Sequence, residues 1–173
     1  MSKEKVSLET CRELISGEIA TRGLIVGFLV KALRDKYGNE ITQLVKKANY
    51  EAGEIAGKNA ARASVENDLA TIADLFGRSV GTKPFEPEIV ERTENRVVIH
   101  WRSCPIPPLL STFKEKGFPN DYLQLLCPIL ERFDNGFVEG FNPGLTAMTP
   151  PEVGETGLNK NGNFCTIVIS KKN

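Results

Sequence analysis

EPEIVERTENRVVIHWRS, residues 86–103, is the stretch that decides the fold. Before it, apolar residues recur every three or four positions. Within it they alternate: Val97, Ile99 and Trp101 on one side, Val98, His100 and Arg102 on the other. That period of two is the mark of a strand. The stretch predicts two strands joined by a tight turn around Glu94-Asn95. Pro105, Pro107 and Pro108 then end the second strand, because proline has no N–H to give a ladder.

Upstream, the chain reads as helix. Ser7 is placed to cap a segment whose apolar residues are Leu8, Cys11, Leu14, Ile15 and Ile19. Gly23 is a candidate break. Leu24, Phe28, Leu29, Ala32 and Leu33 carry the pattern on to Tyr37, and Gly38-Asn39 supplies a stop. A further helix is expected from about Glu40 to Arg62, with Ile41, Leu44, Val45, Ala48, Ala52, Ile55 and Ala56 on its apolar face. Gly53 and Gly57, four apart on it, point to a close helix–helix approach. Another is expected from about Val65 to Arg78, capped by Ser64, with Leu69, Ile72, Ala73, Leu75 and Phe76 inward.

Downstream, Pro108 opens a short helix closed by Gly117. NDYLQLLCPILERFDNGFVEGF, residues 120–141, forms a longer one with Asn120 as cap and Leu123, Leu126, Ile129, Leu130 and Phe133 inward. Pro128 marks a kink or the first turn. Asp134-Asn135-Gly136 carries a turn signal, and EGFNPG, residues 139–144, has loop composition. LTAMTP (145–150) is a candidate strand, residues 150–163 a polar turn region, and FCTIVIS (164–170) a final strand. The fold class is α+β: a helical N-terminal half packed on a mostly antiparallel sheet with additional helices.

The chain has 173 residues, with 22 Lys+Arg against 22 Asp+Glu and a formal net charge of zero. That length suits a single domain over 1–173, with a helical part over 1–80 and an α+β part over 81–173 that carries the site. Balanced, interspersed charge lacks the basic footprint of a nucleic-acid binder and the like-charge block of a membrane-surface binder. The most apolar run, GLIVGFLVKAL (23–33), is interrupted by Lys31 and falls short of the ~20 residues a bilayer requires. The N-terminal MSKEKVSLET has no apolar signal core. The expectation is a cytoplasmic protein acting on a small molecule, with no nucleic-acid or membrane partner. The apolar helix faces of the first half suggest a homodimer surface. The four cysteines are then thiols or ligands rather than disulfides.

Cys11 falls on an apolar helix face and reads as core. Cys104, Cys127 and Cys165 each lie at the end or break of an element, where side chains converge on a pocket. Cys127, Glu131 and Asp134 share one helix face. Three readings of this group stay open. Cys104, Cys127, Cys165 and Glu131 would be zinc ligands, although no C-x-x-C pair is present. Alternatively the three thiols are buried core. In the third reading Cys104 is a nucleophile paired with His100. Trp101 reads as core or pocket wall.

Cys104-Pro105, Asp134, Gly140-Phe141-Asn142-Pro143, Gly162 and Cys165 together resemble the L-2-amino-thiazoline-4-carboxylic acid hydrolase family over roughly residues 95–170. The family pattern has a cysteine where Glu131 stands, and an Arg-Thr pair where this chain reads LTAMTPPEVGETG. The resemblance implies hydrolytic opening of a thiazoline ring, on the route to cysteine. Asp134 and Cys104 are then the expected catalytic residues, Asp134 as general base. Arg102, Asn142 and Trp101 are the expected substrate contacts, with Arg102 or Arg132 forked on the substrate carboxylate. A bound zinc ion would instead activate the water. The order of elements is also loosely similar to the 4-vinyl-reductase type of small-molecule or metal-binding sensor, which implies binding without catalysis.

Overall fold

The computed structural model describes residues 7–148 and 165–172. Helices α1 (Leu8–Tyr37), α2 (Ile41–Ala63) and α3 (Leu69–Arg78) make up the first half. Strands β1 (Pro87–Arg92) and β2 (Arg96–Trp101) follow, then helices α4 (Leu110–Glu115) and α5 (Tyr122–Phe141), then strands β3 (Leu145–Met148) and β4 (Cys165–Lys171). The four strands pair in the order β1-β2-β4-β3, every pair antiparallel. The fold is α+β, as the period change predicts. The polar region 150–163, with Gly162, lies outside the described residues, as does Phe164.

Local chemistry sets most boundaries. Ser7 Oγ accepts the Thr10 N–H at 3.0 Å, capping α1. Gly23 does not break that helix. It is buried there because a Cβ would strike the Ile106 side chain. The cap of α3 is Asp68, whose Oδ1 accepts the Thr71 N–H at 2.8 Å, and not Ser64, which instead ends α2. Val65, expected inside a helix, is fully exposed. At α5 the capping position is Asp121 rather than Asn120, with no side-chain capping bond, and Pro128 lies in the helix interior. The Asp134-Asn135-Gly136 turn signal is overruled, since all three are helical, and α5 continues through Gly140 to Phe141.

Glycine explains that continuation. Gly53 and Gly57 of α2 press on the α5 backbone at Phe133 and Phe137, while Gly136 and Gly140 of α5 press on the α2 backbone at Tyr50 and Glu54. The contacts advance together along both helices, so α2 and α5 run parallel. A Cβ at any of the four positions would collide with the opposing main chain. Helix axes normally stay 8–10 Å apart because side chains intervene, and here the side chains are missing from the contact. α2 therefore buries its glycine stripe, while Leu44 and Ile55, expected inward, are 62% exposed. Leu8 and Leu14 of α1 are exposed too.

Two apolar clusters result. The first lies on one face of the sheet, where Val97, Ile99, Trp101, Ile167 and Ile169 meet α3 and the end of α5. The second joins the middle of α1, residues 104–118 and the start of α5, around Phe113, Tyr122 and Leu126. Full burial of side chains such as Ile72, Ile99 and Phe113 stabilises the fold by about 1.5–3 kcal/mol each. Helix α5 belongs to both clusters, and its middle lies at the seam between them.

Candidate functional site

That seam holds the chemically versatile residues. Cys127, Glu131 and Asp134 recur at i, i+4 and i+7 on α5, one stripe of the helix. Cys104 follows the end of β2 and packs against the second cluster. Cys165 opens β4 opposite Trp101 of β2 and packs against the first. The charge of Glu131 acts on Asp134 and on all three thiols, and Cys104, Cys127 and Asp134 act on Cys165, so these groups are neighbours. Burial, then the charge of Glu131, raises the Asp134 carboxyl to about 7. Burial raises the Cys127 thiol to about 12, with Cys104 and Glu131 adding to it. Cys165 is raised by burial and then by Glu131, Cys104, Asp134 and Cys127. Cys104 is raised by burial, against an opposing hydrogen bond from the Ile106 backbone. At neutral pH these are protonated thiols beside a carboxyl poised between its two forms.

The Ile106 N–H is a contact that has no motif of its own. In Pro105-Ile106-Pro107-Pro108 only Ile106 carries a backbone donor, and that is the one signal the sequence offers for it.

Trp101 is buried and stacked, its ring centroid 4.6 Å from Phe85 and 6.2 Å from Phe76. Its indole N–H is buried with no hydrogen-bond partner among the described residues. This is a place in the first apolar cluster, the core half of the expectation for Trp101. Arg102 is brought elsewhere. Its guanidinium pairs with Glu88 of β1, and its charge acts on His100. Arg132 lies over the Tyr50 ring, 5.1 Å from its centroid. His100 is lowered by burial and then by Arg102, and it sits opposite Glu88 on β1. It alternates with Trp101 along β2, so it faces the other side of the sheet. Asn142 ends α5 with both amide ends engaged: Nδ2 donates to the Asn67 carbonyl, and Oδ1 accepts the Gly144 N–H at 2.8 Å.

Among the described residues no group of three or more His, Cys, Asp or Glu side chains is placed to hold a metal ion. Cys104, Cys127, Cys165 and Glu131 do not form such a group among the described residues. No helix among the described residues is long and apolar enough to cross a membrane.

The sequence matches the family model of L-2-amino-thiazoline-4-carboxylic acid hydrolase over residues 18–154, most of the chain. The chain belongs to this family. The match spans Cys104, Cys127, Glu131 and Asp134 and reaches back into α1, so the helical half is part of the family fold. No curated protein matches the chain.

Proposed function

We propose that this family member hydrolyses a small cyclic amidine, opening the ring at a C–N bond, with Asp134 moving the proton. The observation that carries the reading is Asp134 itself, raised to about 7 by burial and by Glu131 three residues away on the same helix. A group titrating near neutrality gives up and accepts protons with little driving-force penalty, and such catalysis contributes about 10²–10⁴-fold in rate. Paired carboxyls whose surroundings set their protonation apart are a recurrent acid–base device.

The balance is simple. Water adds to the amidine carbon and its oxygen forms the new C–O bond. Ionised Asp134 takes a proton from that water. Asp134 passes that proton to the ring nitrogen as the C=N double bond becomes single. The new hydroxyl then gives up its proton, again through Asp134, to the same nitrogen as C=O forms and the C–N bond breaks. The nitrogen leaves as an amine bearing both hydrogens of the water. Glu131 holds Asp134 in range. Cys104, raised by burial, stands by as a neutral S–H group, since nucleophilic attack needs the thiolate. Trp101 walls the site against bulk water. The ring of L-2-amino-thiazoline-4-carboxylate, named by the family, is the first substrate to test.

The test is ring opening of that compound, followed by appearance of the free amine. Wild type is expected to turn over, with kcat rising as the pH passes through about 7. Asp134→Asn should lose about a hundredfold or more, and Cys104→Ser should keep a measurable rate. An Asp134→Asn protein with full turnover would remove the base from the mechanism. Binding of the thiazoline without any turnover by wild type would favour the sensor reading.

A further inference from the structure

A second feature lies on the opposite side of α5. Gln43, Lys46, Lys47 and Tyr50 recur at i, i+3, i+4 and i+7 and so share one stripe of α2. Arg132 meets that stripe from α5, and the five residues line a groove of about 390 Å³. Arg132 is two residues from Asp134, which turns it well away from the Cys127–Glu131–Asp134 stripe.

The charge balance of the groove is uneven. Glu54 pairs with Lys58 at 2.7 Å. Glu139 accepts from Lys172 at 2.9 Å and from the Tyr50 hydroxyl at 3.1 Å. Lys47 has Glu51 at 3.7 Å, a long contact between exposed groups. Neither Lys46 nor Arg132 has a carboxylate partner among the described residues. The nearby acids are thus matched by their own cations, and the excess charge in the groove is positive.

Arg132 is also held in place. Its guanidinium lies over the Tyr50 ring, and Nη1 donates to Asn135 Oδ1 at 3.1 Å. Asn135 is itself tied to the sheet through Nδ2 to the Ala147 carbonyl at 2.8 Å. A guanidinium has five N–H donors, and Asn135 accepts from one nitrogen. The fork is therefore fixed before any ligand arrives, so less side-chain freedom is lost on binding.

We propose that the groove between α2 and α5 binds a small polyanion, a phosphate- or polycarboxylate-bearing molecule with at least two negative charges. Lys46 and Lys47 supply point charges, Arg132 the forked contact, and Gln43 a polar rim. The site is separate from the seam and does not depend on the hydrolase reading.

The experiment is isothermal titration of the whole chain with pyrophosphate and, separately, with citrate, at ionic strength matched with sodium chloride. Saturable binding is expected for at least one of them, weakening as salt rises. Arg132→Gln and Lys46→Gln should each weaken it by about tenfold, while Lys114→Gln on α4 should not. Tighter pyrophosphate points to phosphate esters as the natural source, tighter citrate to polycarboxylates. Two results overturn the site: neither anion saturates, or both groove variants bind as wild type does. The variants replace surface side chains, and the Trp101 emission verifies that each one is folded.

Discussion

Asp134 and Glu131 stand three residues apart on one face of α5, and the charge of Glu131 adds to burial in lifting Asp134 to about 7. Neither effect is an accident of the surface. The stripe is only partly exposed because α5 joins both apolar clusters, and its middle lies between them. A fold that needs α5 as its shared element thereby creates a poorly solvated carboxyl next to a second acid.

The stability of the protein should carry the signature of that carboxyl. The ordinary Asp value is 3.8 and the folded value is about 7. Between the two, the folded chain holds a proton that the unfolded chain has released. This contribution favours folding at low pH and is lost as the pH rises through about 7. Asp134→Asn cannot ionise, so it should gain stability relative to wild type as the pH climbs across that window, by an amount on the order of a few kcal/mol. Urea unfolding of both proteins at pH values spanning the window measures the gap. A gap that does not change with pH would mean that Asp134 is ionised throughout.

The thiols of the seam should be slow to react. Cys127 is raised from 9.0 to about 12. At a mildly alkaline pH its thiolate fraction is then about a thousandfold below that of an ordinary cysteine, and the thiolate is the species that is alkylated. Iodoacetamide labelling read by peptide mass spectrometry should show Cys104, Cys127 and Cys165 protected in the native protein. All should label readily in guanidinium. Native labelling of Cys127 at the unfolded rate would mean that its thiol is freely solvated.

Where the physics is local, the sequence is enough. The alternation Val97, Ile99, Trp101 reports a strand because a strand's two faces repeat every second residue. Cys127, Glu131 and Asp134 could be placed on one stripe because helix geometry requires it. Where a partner decides, the sequence falls short. Asp134-Asn135-Gly136 has turn composition, yet Gly136 is helical because the Tyr50 carbonyl of α2 occupies the space of its missing side chain. Leu44 and Ile55 form a convincing apolar face that stays exposed, because α2 docks through Gly53 and Gly57 instead. Ser64 and Asp68 are both sound capping residues, and only the path of the chain chooses between them. Arg102 could be placed at a strand end, but its partner Glu88 is set by the β1–β2 register.

The glycine contact between α2 and α5 yields the sharpest stability test, since a methyl group is the smallest change that can fill it. In Gly136→Ala the new Cβ meets the Tyr50 carbonyl, and in Gly53→Ala it meets the Phe133 carbonyl. Main chain cannot swing aside as a side-chain tip can, so the helices must separate. Overpacking of this kind costs about 1–3 kcal/mol, which outweighs the 0.5–1 kcal/mol (roughly) that alanine gains over glycine inside a helix. Gly17 is the internal control. It lies in α1, is exposed, and a Cβ there would have no neighbour within 4 Å. Gly17→Ala should therefore stabilise the protein by about 0.5–1 kcal/mol, while Gly136→Ala and Gly53→Ala destabilise it. Denaturant midpoints for the three variants decide the matter. Opposite signs are the expected result, and an equal gain in all three would mean that α2 and α5 do not approach through these glycines.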